Sequence, residues 1–160
     1  MGKGKKEVFS GMTSGVSVMG LYYNAAAKEF GEEKALQLFE KVGESMGAGT
    51  AKGMKEKLGN KTPTMKELKE TLDSSYKSMG FTNSSKAGKT KLTNKVMSCP
   101  FYDGLAMAGL SHETINKICT HTSAGEYRSM MMEYPQLEAA AEPKKTSDGV
   151  CIESYKLRKR

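Results

Sequence analysis

The chain has no tryptophan, only four prolines and only three cysteines. An odd number of cysteines, far apart in sequence, argues against a disulfide framework and for reduced thiols. No stretch approaches the ~18 consecutive apolar residues of a membrane span. Met1 to Lys6 is charged, but no apolar region of about 7–15 residues follows it, so no signal peptide is visible. A cytoplasmic protein is the expectation. Zinc-finger spacing, an aromatic stacking motif and an obvious recognition helix are all missing, which argues against nucleic acid as a partner. The G-x-x-x-x-G-K-[ST] order of a phosphate-cradling loop is missing too.

What is there fits one domain. A chain of 160 residues buries roughly two-thirds of its unfolded surface and needs neither disulfide nor metal to fold. The apolar fraction is lean at 38 %, yet there are 12 methionines. Methionine fills irregular gaps and adapts to varied ligands, so these residues suit a soft helical core or a binding groove. The net charge is +7, and the two ends carry seven positive charges. These are Lys3, Lys5 and Lys6, then Lys156, Arg158, Lys159 and Arg160. Such tails serve solubility or dock an acidic partner protein.

Residues 1–13 read as a basic arm, 14–80 as a helical half and 91–157 as a strand–helix–hairpin half. Val18, Leu21, Tyr22, Ala25, Ala26 and Phe30 recur at helical spacing and define one face. Gly31 interrupts, and Glu32 and Glu33 suit the positive end of a new helix. Leu36, Phe39 and Val42 continue an apolar face. Gly43, Gly47 and Ala51 then share one stripe, and Gly49 and Gly53 another. Glycine costs about 1 kcal/mol against alanine within a helix, so something must offset it; close approach of another helix is the preferred reading. Gly59 stops this helix. Thr64 and Glu67 form a capping box for the next, which faces inward with Met65, Leu68, Leu72 and Met79 and ends at Gly80. Residues 81–90 read as a polar linker.

Lys91 to Cys99 reads as a strand with Leu92 and Val96 on one side. Pro100 ends it, and a short helix or a turn follows over 101–108. Ser111 caps a longer helix with Ile115, Ile118, Cys119, Thr122, Tyr127 and Met130 facing inward. Leu137 to Lys144 and Val150 to Leu157 read as a hairpin turning at Asp148-Gly149. In its second strand Cys151, Glu153, Tyr155 and Leu157 share a face. The fold class is α+β, with N-terminal helices packed on a small antiparallel sheet.

All three cysteines fall in the second half. Cys99, Cys119 and Cys151, with His112 or His121, can hold zinc with an open position for water, or an iron–sulfur cluster. The spacing is uninformative, since the gaps are 20 and 32 residues and no C-x-x-C pair exists. Buried cysteine is also ordinary core material. A Cys99 thiolate activated across the fold by His112 or His121 is another option, with Asp103 orienting the histidine or binding an amine. Cys119 and His121 are two residues apart, so a helix points them in different directions. Tyr22, Tyr23, Tyr102 and Tyr127 offer hydroxyls to a polar ligand, or are core aromatics with wet tips.

The order of several short motifs resembles the L-2-amino-thiazoline-4-carboxylic acid hydrolase-like family. They are Leu21-Tyr22-Tyr23, Glu29-Phe30-Gly31-Glu32-Glu33-Lys34-Ala35, Cys99-Pro100-Phe101-Tyr102, Ile118-Cys119 and Tyr134-Pro135-Gln136-Leu137. The closing Gly149-Val150-Cys151-Ile152 matches more loosely. The likeness spans most of residues 15–157, and the second half also resembles vinyl-reductase-like small-molecule-binding domains. The resemblance implies hydrolysis of a cyclic amidine. Water adds at the carbon between nitrogen and sulfur, and the ring opens to a carbamoyl-cysteine. It marks Cys99, Cys119 and Cys151 as site candidates. The other class of function is a non-catalytic accessory subunit of a larger complex, or a homodimer, that binds a small molecule, a metal or an iron–sulfur cluster. A fold family alone does not choose between them.

Overall fold

The computed structural model describes residues 3–143 and 149–158. Helix α1 (Lys3–Phe30) and helix α2 (Glu32–Leu58) would be one rod but for Gly31, which sits between them at φ 90°. Glycine takes that conformation without steric cost. Helix α1 begins well inside the segment expected to be a basic arm. Its first turns have somewhere to pack, because the backbone of Phe9 lies directly against Gly80.

The buried face of α1 is not the one its apolar spacing suggests. Val18, Leu21, Tyr22 and Phe30 are exposed, Tyr22 by 72 %. Val16 and Tyr23 are buried instead, with Gly20 between them. The reason is close approach rather than bulk. Gly20 packs on Ala108, while Gly104 receives Val16 and the carbonyl of Thr13. Small residues draw α1 onto helix α4 (Pro100–Met107), and that seam decides which side turns inward.

The first glycine stripe of α2 works the same way. Gly43 and Gly47 meet the backbone of helix α5 (His112–Glu133) at Thr122 and Glu126, and Gly125 returns the contact at Glu40. A Cβ at any of the three would overlap a carbonyl oxygen. Gly49 and Gly53 face open space. Close backbone packing is thus the offset for the first stripe only.

Helix α3 (Met65–Ser78) starts with the complete Thr64–Glu67 capping box and buries Met65, Leu68 and Leu72. Strand β1 (Thr82–Ala87) follows, inside the segment expected to be a linker. Its inward side chains, Asn83 and Ser85, are polar because they join a hydrogen-bonded cluster. Both donate to Asp73 of α3, at 2.7 and 2.5 Å, and both reach Asn94. A strand that faces such a cluster shows no apolar alternation.

Strands β2 (Lys91–Ser98), β3 (Leu137–Glu142) and β4 (Cys151–Leu157) complete a four-stranded antiparallel sheet in the order β1-β2-β4-β3. Leu92, Asn94 and Val96 of β2 stand opposite Tyr155, Glu153 and Cys151 of β4. The expected turn residues Thr146, Ser147 and Asp148 lie outside the described residues, as do Lys144, Lys159 and Arg160. Cys99 caps α4, its Sγ accepting from Tyr102 N at 3.3 Å, and Pro100 fills the first helical position. Ser111 caps α5. Among the described residues, no helix is long and apolar enough to cross a membrane.

Candidate active site

Helix α5 and strands β2 and β4 enclose a cavity of about 150 Å³ together with α3, α4 and parts of α1 and α2. It lies where the two apolar clusters of the core meet, since Phe81 and Phe101 belong to one and Leu72 to the other. All three cysteines line it. Cys99 arrives at the β2–α4 junction, Cys119 from α5 and Cys151 from the start of β4. A long helix lying across a sheet brings together thiols 20 and 32 residues apart.

Two glutamates line the same cavity. Glu153 follows Cys151 by two residues on the same strand face. Its carboxylate accepts from three side-chain donors. Tyr76 OH donates to Oε1 at 2.6 Å, Asn94 Nδ2 to Oε2 at 2.9 Å and Tyr155 OH to Oε2 at 3.3 Å. Burial raises its pKa above the ordinary carboxylate value, and these hydrogen bonds pull it back. Glu126 comes from α5, one helical step beyond Thr122. Burial first, and then the charge on Glu153, pushes its pKa up to about 7. Two carboxylates in one cavity cannot both ionise cheaply, and the one with fewer donors keeps the proton. Burial also drives Tyr76, Tyr127 and Tyr155 well above the ordinary tyrosine value, with Glu153 adding to it, so they stay neutral donors.

The remaining candidates are elsewhere. His112 and His121 lie along a shallow groove on the other side of α5 with Asn116 and Lys117. His112 Nδ1 shares a 2.7 Å hydrogen bond with Tyr102 OH, and its Nε2 pairs with Asn116 at 3.1 Å. His121 sits 3.4 Å from Glu40, which also pairs with Arg128. Neither histidine lines the thiol cavity. Asp103 is exposed in the first turn of α4, where a negative charge suits the helix N-terminus. Tyr22 is exposed on α1, away from the cavity. Tyr102 is buried beside it. Burial raises its pKa first, followed by Cys119, Asp103 and Cys151.

Among the described residues, no group of three or more His, Cys, Asp or Glu side chains is arranged to hold a metal ion. The thiols share a cavity without forming a coordination set, so no chemistry is routed through zinc or an iron–sulfur cluster. What the cavity supplies is an acid–base group poised near neutrality, a fixed anion held by three donors, and soft sulfur walls.

Glu126 and Glu153 are the residues that sequence reasoning missed. The signal was present. Glu126 continues the buried α5 stripe of Ile118 and Thr122 toward Met130, and an acidic residue on an apolar stripe is anomalous.

Residues 12–133 match the family model described as L-2-amino-thiazoline-4-carboxylic acid hydrolase. The matched region includes Cys99, Cys119 and Glu126 and stops short of Cys151 and Glu153. No curated protein matches the chain.

Proposed function

The chain belongs to the L-2-amino-thiazoline-4-carboxylic acid hydrolase family, and on that premise we propose that it is a small hydrolase that opens a cyclic amidine of the 2-amino-thiazoline type. The observation that carries the reading is Glu126, a carboxyl group with a pKa of about 7 in a thiol-lined cavity of about 150 Å³. The size suits one small ring, since an engineered cavity of about this volume takes up benzene.

In this reading Glu126 acts as general base. It accepts a proton from water as the water oxygen bonds to the amidine carbon. The tetrahedral adduct then collapses to a carbonyl, and the ring bond from that carbon to sulfur or nitrogen breaks. The departing atom takes up the adduct's hydroxyl proton, and Glu126 releases its own to solvent or product. Glu153 stays charged and fixed by Tyr76, Asn94 and Tyr155, and it stabilises positive charge on the amidine. The polarizable thiols of Cys119 and Cys151 form the wall against the ring sulfur. Cys99 holds the N-terminus of α4 and with it Tyr102.

A second reading is a non-catalytic ligand-binding subunit of a larger assembly, the small molecule taking the same cavity. It is favoured by the wall, which is mostly apolar.

The test is product release from 2-amino-thiazoline and from its 4-carboxylate, followed as new thiol and urea by mass spectrometry. Turnover that falls by about 10²–10⁴ in Glu126→Gln supports the hydrolase. Binding without turnover in the unaltered protein selects the second reading.

A further inference from the structure

We propose that the outward face of α1 is a self-association surface, on which a second copy of this chain lays its own α1 antiparallel. The proposal is independent of the hydrolase reading.

The first ground is where exposed apolar surface gathers. Among the described residues, six of the twelve large apolar side chains left exposed belong to α1: Val8, Met12, Val18, Leu21, Tyr22 and Phe30. Val16, Gly20 and Tyr23 turn toward the chain's own core. Nearly opposite them runs an exposed stripe of Val8, Gly11, Gly15, Val18, Tyr22 and Ala25. Its spacing alternates between three and four residues, the period of a seam by which one helix faces another.

The second ground is size. A two-fold axis demands that if one residue meets another across the interface, the reverse contact also forms. An antiparallel pair centred on this stripe sets its first residue against its last, its second against its fifth and its third against its fourth. Val8 then meets Ala25 of the second copy, Gly11 meets Tyr22 and Gly15 meets Val18. Every pair joins a larger side chain to a smaller one. A Cβ at Gly11 or Gly15 would meet nothing within 4 Å among the described residues, so the space above both glycines is open to Tyr22 and Val18 of the second copy. A parallel pair would stack glycine on glycine and tyrosine on tyrosine, with gaps beside bulk.

The third ground is charge. Glu7 and Lys28 are 21 residues apart, three heptads, and so share one flank of the stripe at its two ends. Both are exposed. The same antiparallel register carries Glu7 to Lys28 of the second copy, and the axis repeats the pair at the other end. The positive N-terminus of each helix also comes beside the negative C-terminus of the other.

The experiment is sedimentation equilibrium of the full chain from low to high micromolar concentration, near neutral pH. A reversible dimer is expected. Val18→Glu should weaken it by about tenfold or more, since the new charge is buried at the centre of the seam twice over. Gly11→Leu should weaken it as well, by filling the place of Tyr22 of the second copy. That variant removes a helix-interior glycine, so the monomer's own fold, followed by circular dichroism, should be unchanged or firmer. Glu7→Lys sets like charges against each other and should weaken the dimer, and Glu7→Lys with Lys28→Glu should restore it. A monomer at every concentration overturns the proposal, and so does a dimer indifferent to Val18→Glu and Gly11→Leu. A dimer that Glu7→Lys leaves unchanged, or that the double exchange does not restore, overturns the antiparallel register and the proposal with it.

Discussion

Asn94 and Glu153 stand opposite each other on β2 and β4, and Asn94 Nδ2 donates to Glu153 Oε2 at 2.9 Å. The asparagine is fully buried, and its Oδ1 faces Asn83 and Ser85 on β1. One amide thereby connects three strands and, through Asp73, helix α3. Replacing it with leucine leaves Glu153 one donor short and takes one of their acceptors from Asn83 and Ser85, which keep Asp73. Asn94→Leu should therefore destabilise the fold by about 2–3 kcal/mol, the cost of leaving buried polar groups unsatisfied. Urea unfolding checks this, and a midpoint shift with an unchanged slope is the expected form. Adding Glu153→Gln should recover part of the loss, because a neutral partner needs fewer donors.

The glycines of α2 divide by sign. Gly43→Ala and Gly47→Ala each drive a methyl group into a backbone carbonyl of α5, and neither backbone can yield without separating the helices. Each should cost about 2 kcal/mol or more. Gly49→Ala meets nothing and should stabilise by about 0.5–1 kcal/mol through helix propensity. Thermal melts of the three variants decide it. A uniform loss across all three would contradict the seam.

Stability should fall as pH rises toward neutrality. Glu126 has an ordinary value of 4.5 when unfolded and about 7 when folded. The folded state thus favours the protonated form. That contribution is fully present below about pH 4.5 and is lost as pH climbs through 7, for a total of ~3 kcal/mol. Glu153, also raised, acts in the same direction. Glu67 opposes them at the acid end. Its pKa is held down to about 2 by Lys61 and the Thr64 cap, so its contribution is present above about pH 4.5 and lost as pH falls through 2. Glu126→Gln should flatten the slope between pH 5 and 7 in denaturant titrations. A slope that survives the substitution would place the titrating group elsewhere.

The parts of this fold that were legible in sequence are those written in local chemistry. Thr64 with Glu67, Gly31, Gly59 and Ser111 mark their helix ends by what their own atoms do, and the structure uses each of them so. The face of α1 was not legible, because Gly20 and Gly104 choose it by what they lack. Strand β1 was hidden for a related reason, since Asn83 and Ser85 point at Asp73 rather than at an apolar core. At the candidate site, cysteine drew attention because it is rare and reactive. Glu126 and Glu153 passed as ordinary charged residues, although Glu126 lies between buried Thr122 and Met130 on its stripe and Glu153 beside buried Tyr155 on its strand face. The family match reaches as far as α5, whereas the second carboxylate comes from the last strand, and only tertiary structure brings the two together.

The seam between α2 and α5 also bears on how a ligand enters. Where backbone rests on backbone there is no side chain to rotate aside, so the two helices can only travel together. Glu126 belongs to that block, because its own peptide carbonyl is the atom pressed against Gly47. An opening wide enough for a ring must therefore come from the other walls, such as the one where α3 meets β1 and β2 through side chains that can swing. The backbone that carries Glu126 stays put, and the conformational freedom of that backbone has been surrendered during folding.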